Sequence, residues 1–419
     1  MSSKASLFII FLTVFIDLLG FGMVLPLLPI YAKQFAATGA TIALLMSCFS
    51  AMQFLFSPLW GRLSDRIGRR PVLMIGLAGS VVFYGLFGIA TVQHSLMLMF
   101  VARIGAGIAG ATISTAQAYI ADCTTLATRA RGMAMIGAAF GLGFTFGPLF
   151  GYFAVPVEGA DPGPGPGYAA AALSAFALVL AIFKLPESLT AEVRARNDAG
   201  TGRHDRRSWI DLAALRSAMA SPPIALLLVA SFLCVFAFGN FEATLSLTIK
   251  DKNGLFKYSF QDVMLTFAYI GLVLTLVQGG LVRRLSGRIP EAKMTIIGAV
   301  LEMVGFGLFI VVLGNYSRPL FLVTLAVIVS GFAFMTPSIN SLLSRWSDPA
   351  KQGSILGLGQ SVSALARILG PYIGIRMLDF NAAYPYWLAL VLMGLGGLFV
   401  MAAARTGRDY AAFPTTPQA

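Results

Sequence analysis

Gly61-Arg62-Leu63-Ser64-Asp65-Arg66-Ile67-Gly68-Arg69-Arg70, followed by Pro71, is the stretch on which the reading of this chain turns. It carries Arg62, Asp65, Arg66, Arg69 and Arg70 in a chain that is 57% hydrophobic and only 11% charged. The apolar runs on either side, 41–60 and 71–92, each supply the roughly 20 residues that a bilayer-crossing helix needs. The charged stretch therefore reads as a tight loop between two membrane helices.

Working outward, a mean hydropathy of +0.81 excludes a soluble globular domain, in which about a quarter of residues would be charged. Scanning for further runs gives about twelve candidate spans of roughly 20 residues. They fall at 7–30, 41–60, 71–92, 96–121, 132–155, 168–185, 223–249, 260–282, 292–314, 319–343, 353–378 and 382–404. The alternation over about 10 residues that marks a membrane β-barrel is missing. The first run exceeds a secretory h-region, contains Asp17 and two prolines, and has no small-residue cleavage pattern, so it reads as a retained helix.

The formal net charge of +12 is a matter of topology. With both termini placed in the cytoplasm, most Lys and Arg residues fall inside. Lys33, Lys250, Lys252, Lys257, Arg318 and Arg376 are left outside, and Arg103 and Arg367 lie within helices. The positive-inside rule accounts for that bias, and no nucleic-acid partner is expected. Cys48, Cys123 and Cys234 have no paired spacing and read as packing residues, so no metal site is expected. The 33 Phe and 17 Met are what lipid-facing and packing positions require, and they name no ligand.

Two interruptions organise the chain. The polar stretch 186–221 reads as a cytoplasmic linker between an N-terminal six-helix bundle (1–185) and a C-terminal one (222–404), followed by a cytoplasmic tail (405–419). The Pro/Gly-rich segment Glu158–Gly167 reads as an irregular outer loop. The halves echo each other: Gly61-x-Leu63-x-x-Arg66 recurs as Gly279-x-Leu281-x-x-Arg284, and Gly147-Pro148-x-x-Gly151 as Gly370-Pro371-x-x-Gly374. The second loop copy is degraded, with Arg283 at the place of Asp65.

The stretch 61–71 resembles the G-x-L-[SA]-D-R-x-G-R-R-P signature of major facilitator superfamily transporters. Ile16–Gly22 with Pro26 and Pro29, and Arg103 through Asp122, resemble the tetracycline-type drug/proton antiporters of that superfamily. The resemblance implies an all-α membrane fold of twelve helices in two pseudo-symmetric six-helix bundles, with substrate bound between them near the midplane. Gly143-x-x-x-Gly147-Pro148-x-x-Gly151 is similar to the superfamily's antiporter motif, with Tyr152 where a second glycine is usual. In the family the loop charges stabilise one orientation as a cytoplasmic gate, here Gly61, Asp65, Arg66, Arg69 and Arg70 with Asp122 and Arg131.

Intramembrane charge costs about 2.5–3.5 kcal/mol on insertion scales, so each such residue invites a reason. Asp17 lies mid-helix, where a low-dielectric carboxyl can gain and lose a proton; the alternative is a structural partner for an arginine such as Arg103. Glu242 and Glu302 are the second-half candidates for proton coupling. Arg103, Gln117, Asn240 and Arg367 are candidates for the substrate cavity, Arg103, Gly107, Gly110, Ser114 and Gln117 forming one small and polar helical stripe. One departure limits the substrate: where tetracycline exporters carry an aspartate before a tyrosine in the third helix, this chain has Phe83-Tyr84.

The expected function is a secondary active transporter: a proton-coupled antiporter exporting a small amphipathic organic compound by alternating access. A symporter for a nutrient or organic ion and a non-transporting sensor are the alternatives. No G-x-x-x-x-G-K-[ST] is present, so neither nucleotide nor another cofactor is expected, and the proton gradient supplies the energy. The chain is not expected to be an enzyme. It is expected to work as a monomer in a bacterial inner membrane, with protons, lipid and a small molecule as its partners.

Overall fold

The computed structural model describes residues 3–124, 126–156, 161–189, 216, 220–251, 254–347 and 352–409, and side chains from Ser6 onward except 126–134 and 352–354. Helices dominate: α1 (Ser3–Val24), α2 (Leu28–Gln34), α3 (Gly39–Ile67), α4 (Arg69–Val92), α5 (Leu96–Gly110), α6 (Ile113–Cys123), α7 (Leu126–Ala154) and α8 (Gly165–Lys184). Most of the expected linker, residues 190–215 and 217–219, lies outside the described residues; then come α9 (Pro222–Lys250), α10 (Phe260–Leu276), α11 (Glu291–Gly314), α12 (Arg318–Trp346), α13 (Gln352–Leu378) and α14 (Tyr384–Thr406). No strand occurs among the described residues, only the isolated bridge Ser286–Ile289.

Eleven of the described segments are long and apolar enough to cross a membrane. The segment expected at 353–378 is present as α13, but its Ser, Gly, Gln and Arg content leaves it less apolar than the rest. Val82, Met97, Phe153 and Phe183 are exposed by 61–78%. Outward-facing apolar side chains on this scale suit lipid rather than water.

Two expected spans are broken. The first divides at Leu25–Leu27, where Pro26 and Pro29 withdraw backbone donors. The fourth divides at Ala111-Thr112, directly after Gly110. The Pro/Gly-rich segment also departs from the expected loop, because α8 already starts at Gly165. Pro166 sits in its first turn, where its missing N–H has no helical acceptor to satisfy. At the far end of α10 the helix widens to a π-turn, Val277–Val282, which takes in Gly279 and Leu281 of the degraded signature copy, while Arg283 and Arg284 follow in a short α-turn.

The chain forms two compact units, residues 1–206 with 245–275, and residues 207–244 with 276–419. In the first, Ile10, Leu77, Tyr119, Ala177 and Leu185 join α1, α4, α6 and α8 in one apolar cluster. In the second, Phe309 lies against Phe241, Phe321 and Tyr386, with ring centroids 4.3–6.1 Å apart, and ties α9, α11, α12 and α14 together.

Candidate functional site

The stretch Gly61–Pro71 is less a loop than a helix junction. α3 runs through Ile67, Gly68 turns the chain with φ 108°, and α4 starts at Arg69. Arg69 is 5% exposed and is the centre of the cluster. Its Nη1 reaches Asp65 Oδ1 at 2.6 Å and donates to Ser64 Oγ at 2.7 Å, and its Nε donates to Asp122 Oδ2 at 3.1 Å. The two carboxylates differ: the Asp65 side chain is 63% exposed and that of Asp122 only 6%. Ser188 Oγ donates to the same Asp122 oxygen at 3.2 Å. The structure thus brings Asp65, Arg69 and Asp122 together. Gly61 has open space around it and Arg66 is exposed. The side chain of Arg131 lies outside the described residues.

Sequence reasoning missed one member of this cluster. The backbone N–H groups of Arg69 and Arg70 donate to Glu187 Oε1 and Oε2 at 2.9 and 3.1 Å, and Leu189 N–H donates to Oε1 at 2.9 Å. A carboxylate there satisfies the orphan donors of α4 and opposes the positive end of its dipole. The cap comes from Glu187, while Asp65 faces the Arg69 side chain. Arg70 Nη2 donates to Ile182 O at 2.6 Å and closes the junction against α8. The available signal was Pro186-Glu187-Ser188 immediately beyond an apolar run, read as the start of a linker.

Within the first unit, Asp17 on α1 accepts a hydrogen bond from Ser174 Oγ of α8 at 3.3 Å, with Ser80 of α4 also in reach. The proposed partner Arg103 does not pair with it. Arg103 is 2% exposed, its Cζ sits 4.5 Å from the Phe49 ring centroid and 6.0 Å from that of Phe21, and its Nε and Nη1 have no hydrogen-bond partner among the described residues. Gln117 is exposed, further along on α6.

The Gly143–Gly151 motif packs against the face of α1 that follows Asp17. A Cβ on Gly147 would lie 2.8 Å from both Gly22 Cα and Leu19 O, and one on Gly143 2.7 Å from Leu18 Cβ. Glycine is what lets the backbones of α1 and α7 approach so closely. The second copy of the motif does the same: a Cβ on Gly370 would lie 2.6 Å from Phe236 O of α9.

In the second unit, Asn240 is fully buried and donates from Nδ2 to Pro385 O at 2.7 Å, tying α9 to the start of α14. Gly374 leaves room for its Oδ1. Glu242 is half-buried, and the exposed Arg367 of α13 is close enough to interact with it electrostatically. Glu302 of α11 is fully buried, with Cys234 Sγ 3.9 Å from Oε1 and no partner at Oε2. At the helix ends, Arg345 bonds Glu291 Oε2 at 2.6 Å and also pairs with Asp409. No group of three or more potential metal ligands occurs among the described residues.

The family model of the Major Facilitator Superfamily matches residues 10–371 and 284–417. Major facilitator superfamily domain-containing protein 10 of Bos taurus is 31% identical over 426 residues, 91% of this chain and 87% of that protein. Tetracycline resistance protein, class E, of Escherichia coli is 29% identical over 394 residues, 93% of this chain and 91% of that protein. The crystal structure of the human organic anion transporter MFSD10 (TETRAN) aligns with a TM-score of 0.70 and 26% identity, covering 96% of this chain and all of the other.

Proposed function

The chain belongs to the major facilitator superfamily of membrane transporters, and from that premise we propose that it is a proton-coupled antiporter exporting a small amphipathic organic compound by alternating access. The observation that carries the reading is Asp17. It is a membrane-interior carboxyl with hydroxyl neighbours and, among the described residues, no ion pair, one turn from the α1 surface against which the glycines of α7 pack. A carboxyl so placed can exchange a proton without breaking a salt bridge, and its charge state bears on the helix contact beside it. Protonation and substrate binding would then favour different conformations, which coupling requires. Each proton entering down 100 mV supplies about 2.3 kcal/mol.

Glu242 with Arg367 is the second-half contribution to this coupling, and Glu302 a third carboxyl that could take part. The Arg69 cluster acts as the gate at the cytoplasmic end, an orientation supported by the asymmetric placement of Lys and Arg. The proposed setting is a bacterial inner membrane, with both termini inside and the monomer as the working unit. The resemblance to a tetracycline resistance protein supports export as the direction.

Flux in proteoliposomes under an imposed pH gradient tests the reading. Organic compound should move against the proton flow, and Asp17→Asn should abolish the exchange while the protein still inserts and purifies as one species. Movement of compound with the protons would establish symport instead. Full activity in Asp17→Asn would remove Asp17 from the mechanism.

A further inference from the structure

Arg103 is a full positive charge inside the first unit, and among the described residues nothing of opposite sign is bonded to it. Removing a guanidinium from water is costly unless it is paired and hydrogen-bonded. Two of its nitrogens, Nε and Nη1, are buried without an acceptor. The Phe49 face at 4.5 Å supplies a cation–π contact, which offsets part of the cost and fills none of the donor positions. Cys48 of α3 and Tyr84 of α4 are close enough to interact with it electrostatically. Cys48 directs its S–H to Leu45 O at 3.2 Å. Asp17, one turn before Phe21 on α1, is engaged by Ser174.

The surroundings of the guanidinium are aromatic and fixed. Phe21 and Phe49 pack with centroids 4.9 Å apart, and Phe144 of α7 lies edge-on to Phe21 at 5.9 Å. Gly107, one turn beyond Arg103, presses α5 onto α3, where a Cβ would lie 2.6 Å from Phe49 O. That contact holds the Phe49 ring beneath the cation. The site therefore offers unfilled cationic donors beside an apolar wall. Its complement is a molecule with an anionic group, best a planar carboxylate, joined directly to an aromatic or aliphatic body.

We infer that Arg103, seated on Phe49 and Phe21, is the anchoring site for the carboxylate of an amphipathic organic anion. This rests on the transporter reading above and names the substrate class that the reading leaves open. It also separates two roles within one unit: Arg103 holds cargo, while Asp17 remains available to protons. An anion leaving and a proton entering are both driven by an inside-negative potential, so the pairing is energetically consistent with export.

The test uses the detergent-purified full chain and matched probes, in which naphthalene, indole and biphenyl each carry an acetate, an acetamide or an ethylamine group. Affinity is read by thermal stabilisation and by calorimetry. On at least one scaffold the acetate should bind about tenfold or more tightly than its amide, the scale of a charge-assisted hydrogen bond. Arg103→Gln should erase that preference, and Arg103→Lys should keep part of it, restoring charge without the guanidinium donors. If Arg103→Gln does not fold, the wild-type comparison and Arg103→Lys decide. Acetates binding no better than amides on every scaffold, or no binding by any acetate, overturns the assignment, as does an undiminished preference in Arg103→Gln. Counterflow separates the two readings. Amines exchanged against protons while acetates do not bind would sink the anion site and leave antiport standing. Acetates bound but never exchanged against protons would do the reverse.

Discussion

Replacing Asp122 by asparagine should cost far more than the same change at Asp65, although Asp65 is the residue the loop signature displays. Both carboxylates touch Arg69, but the Asp122 side chain is 6% exposed and that of Asp65 is 63% exposed. Breaking a buried ion pair costs about 3–5 kcal/mol, because the remaining charge is left without compensation. In Asp122→Asn the amide oxygen remains as an acceptor for Arg69 or Ser188, and Arg69 keeps Ser64 and Asp65. The loss therefore falls near or somewhat below the bottom of that range, about 2–3 kcal/mol. An exposed pair contributes about 0–1 kcal/mol. A body of roughly 200 residues shifts its melting temperature by about 2–4 °C per kcal/mol. Asp122→Asn should therefore lower the midpoint by roughly 4–12 °C and Asp65→Asn by at most about 4 °C. Heating the detergent-solubilised protein and following the monodisperse peak by size exclusion gives both midpoints at one scan rate. Equal shifts, or a larger one for Asp65→Asn, would refute the argument that burial sets the rank.

Glu187→Gln leaves one oxygen for three backbone donors and should destabilise by about 1–2 kcal/mol, most of it at the α4 terminus; unchanged amide exchange at Arg69 and Arg70 would count against the cap. The two signature glycines should behave oppositely. Gly68→Ala meets a φ of 108° and the Glu187 carboxylate, and should cost more than about 1 kcal/mol. Gly61→Ala has open space within a helix and should be neutral or slightly stabilising by the same thermal measurement. Gly147→Ala pushes into the α1 backbone and should cost about 1–3 kcal/mol, with a proportionally larger fall in transport than in folded yield.

What could be read in the sequence followed from how strongly a bilayer constrains it. Runs of about 20 apolar residues locate the spans because lipid leaves the backbone no other solution. The breaks at Leu25–Leu27 and Ala111-Thr112 were harder to see, since Pro26 and Gly110 are tolerated inside many membrane helices. At the candidate site, intramembrane charge is rare enough to be found by inspection, so Asp17, Arg103, Glu242, Glu302 and Arg367 were all visible. Their partners were not. Whether Arg103 meets Asp17 depends on side-chain direction across three helices, and Asn240 is committed to Pro385 O far along the chain. Glu187 stood out as the end of an apolar run but not as a cap, because a cap is defined by the helix it meets, more than a hundred residues earlier in the sequence.

The two repeats differ in a way that the helix dipole explains. In the first, Arg69 and Arg70 open α4, which puts positive charge at the positive end of the helix. That arrangement needs an acid brought in from outside, and Glu187 supplies it through the backbone N–H groups. In the second repeat the acid is already there, as Glu291 in the first turn of α11. Its partner, from the helix that follows, is then basic: Arg345 near the end of α12 stands where Asp122 stands near the end of α6. Asp409, three residues past α14 as Glu187 is three past α8, meets the Arg345 side chain. Arg283 at the place of Asp65 is thus no simple decay of the signature. Once Glu291 carries the acid across to the helix terminus, an aspartate in the preceding loop has no arginine at that terminus left to meet.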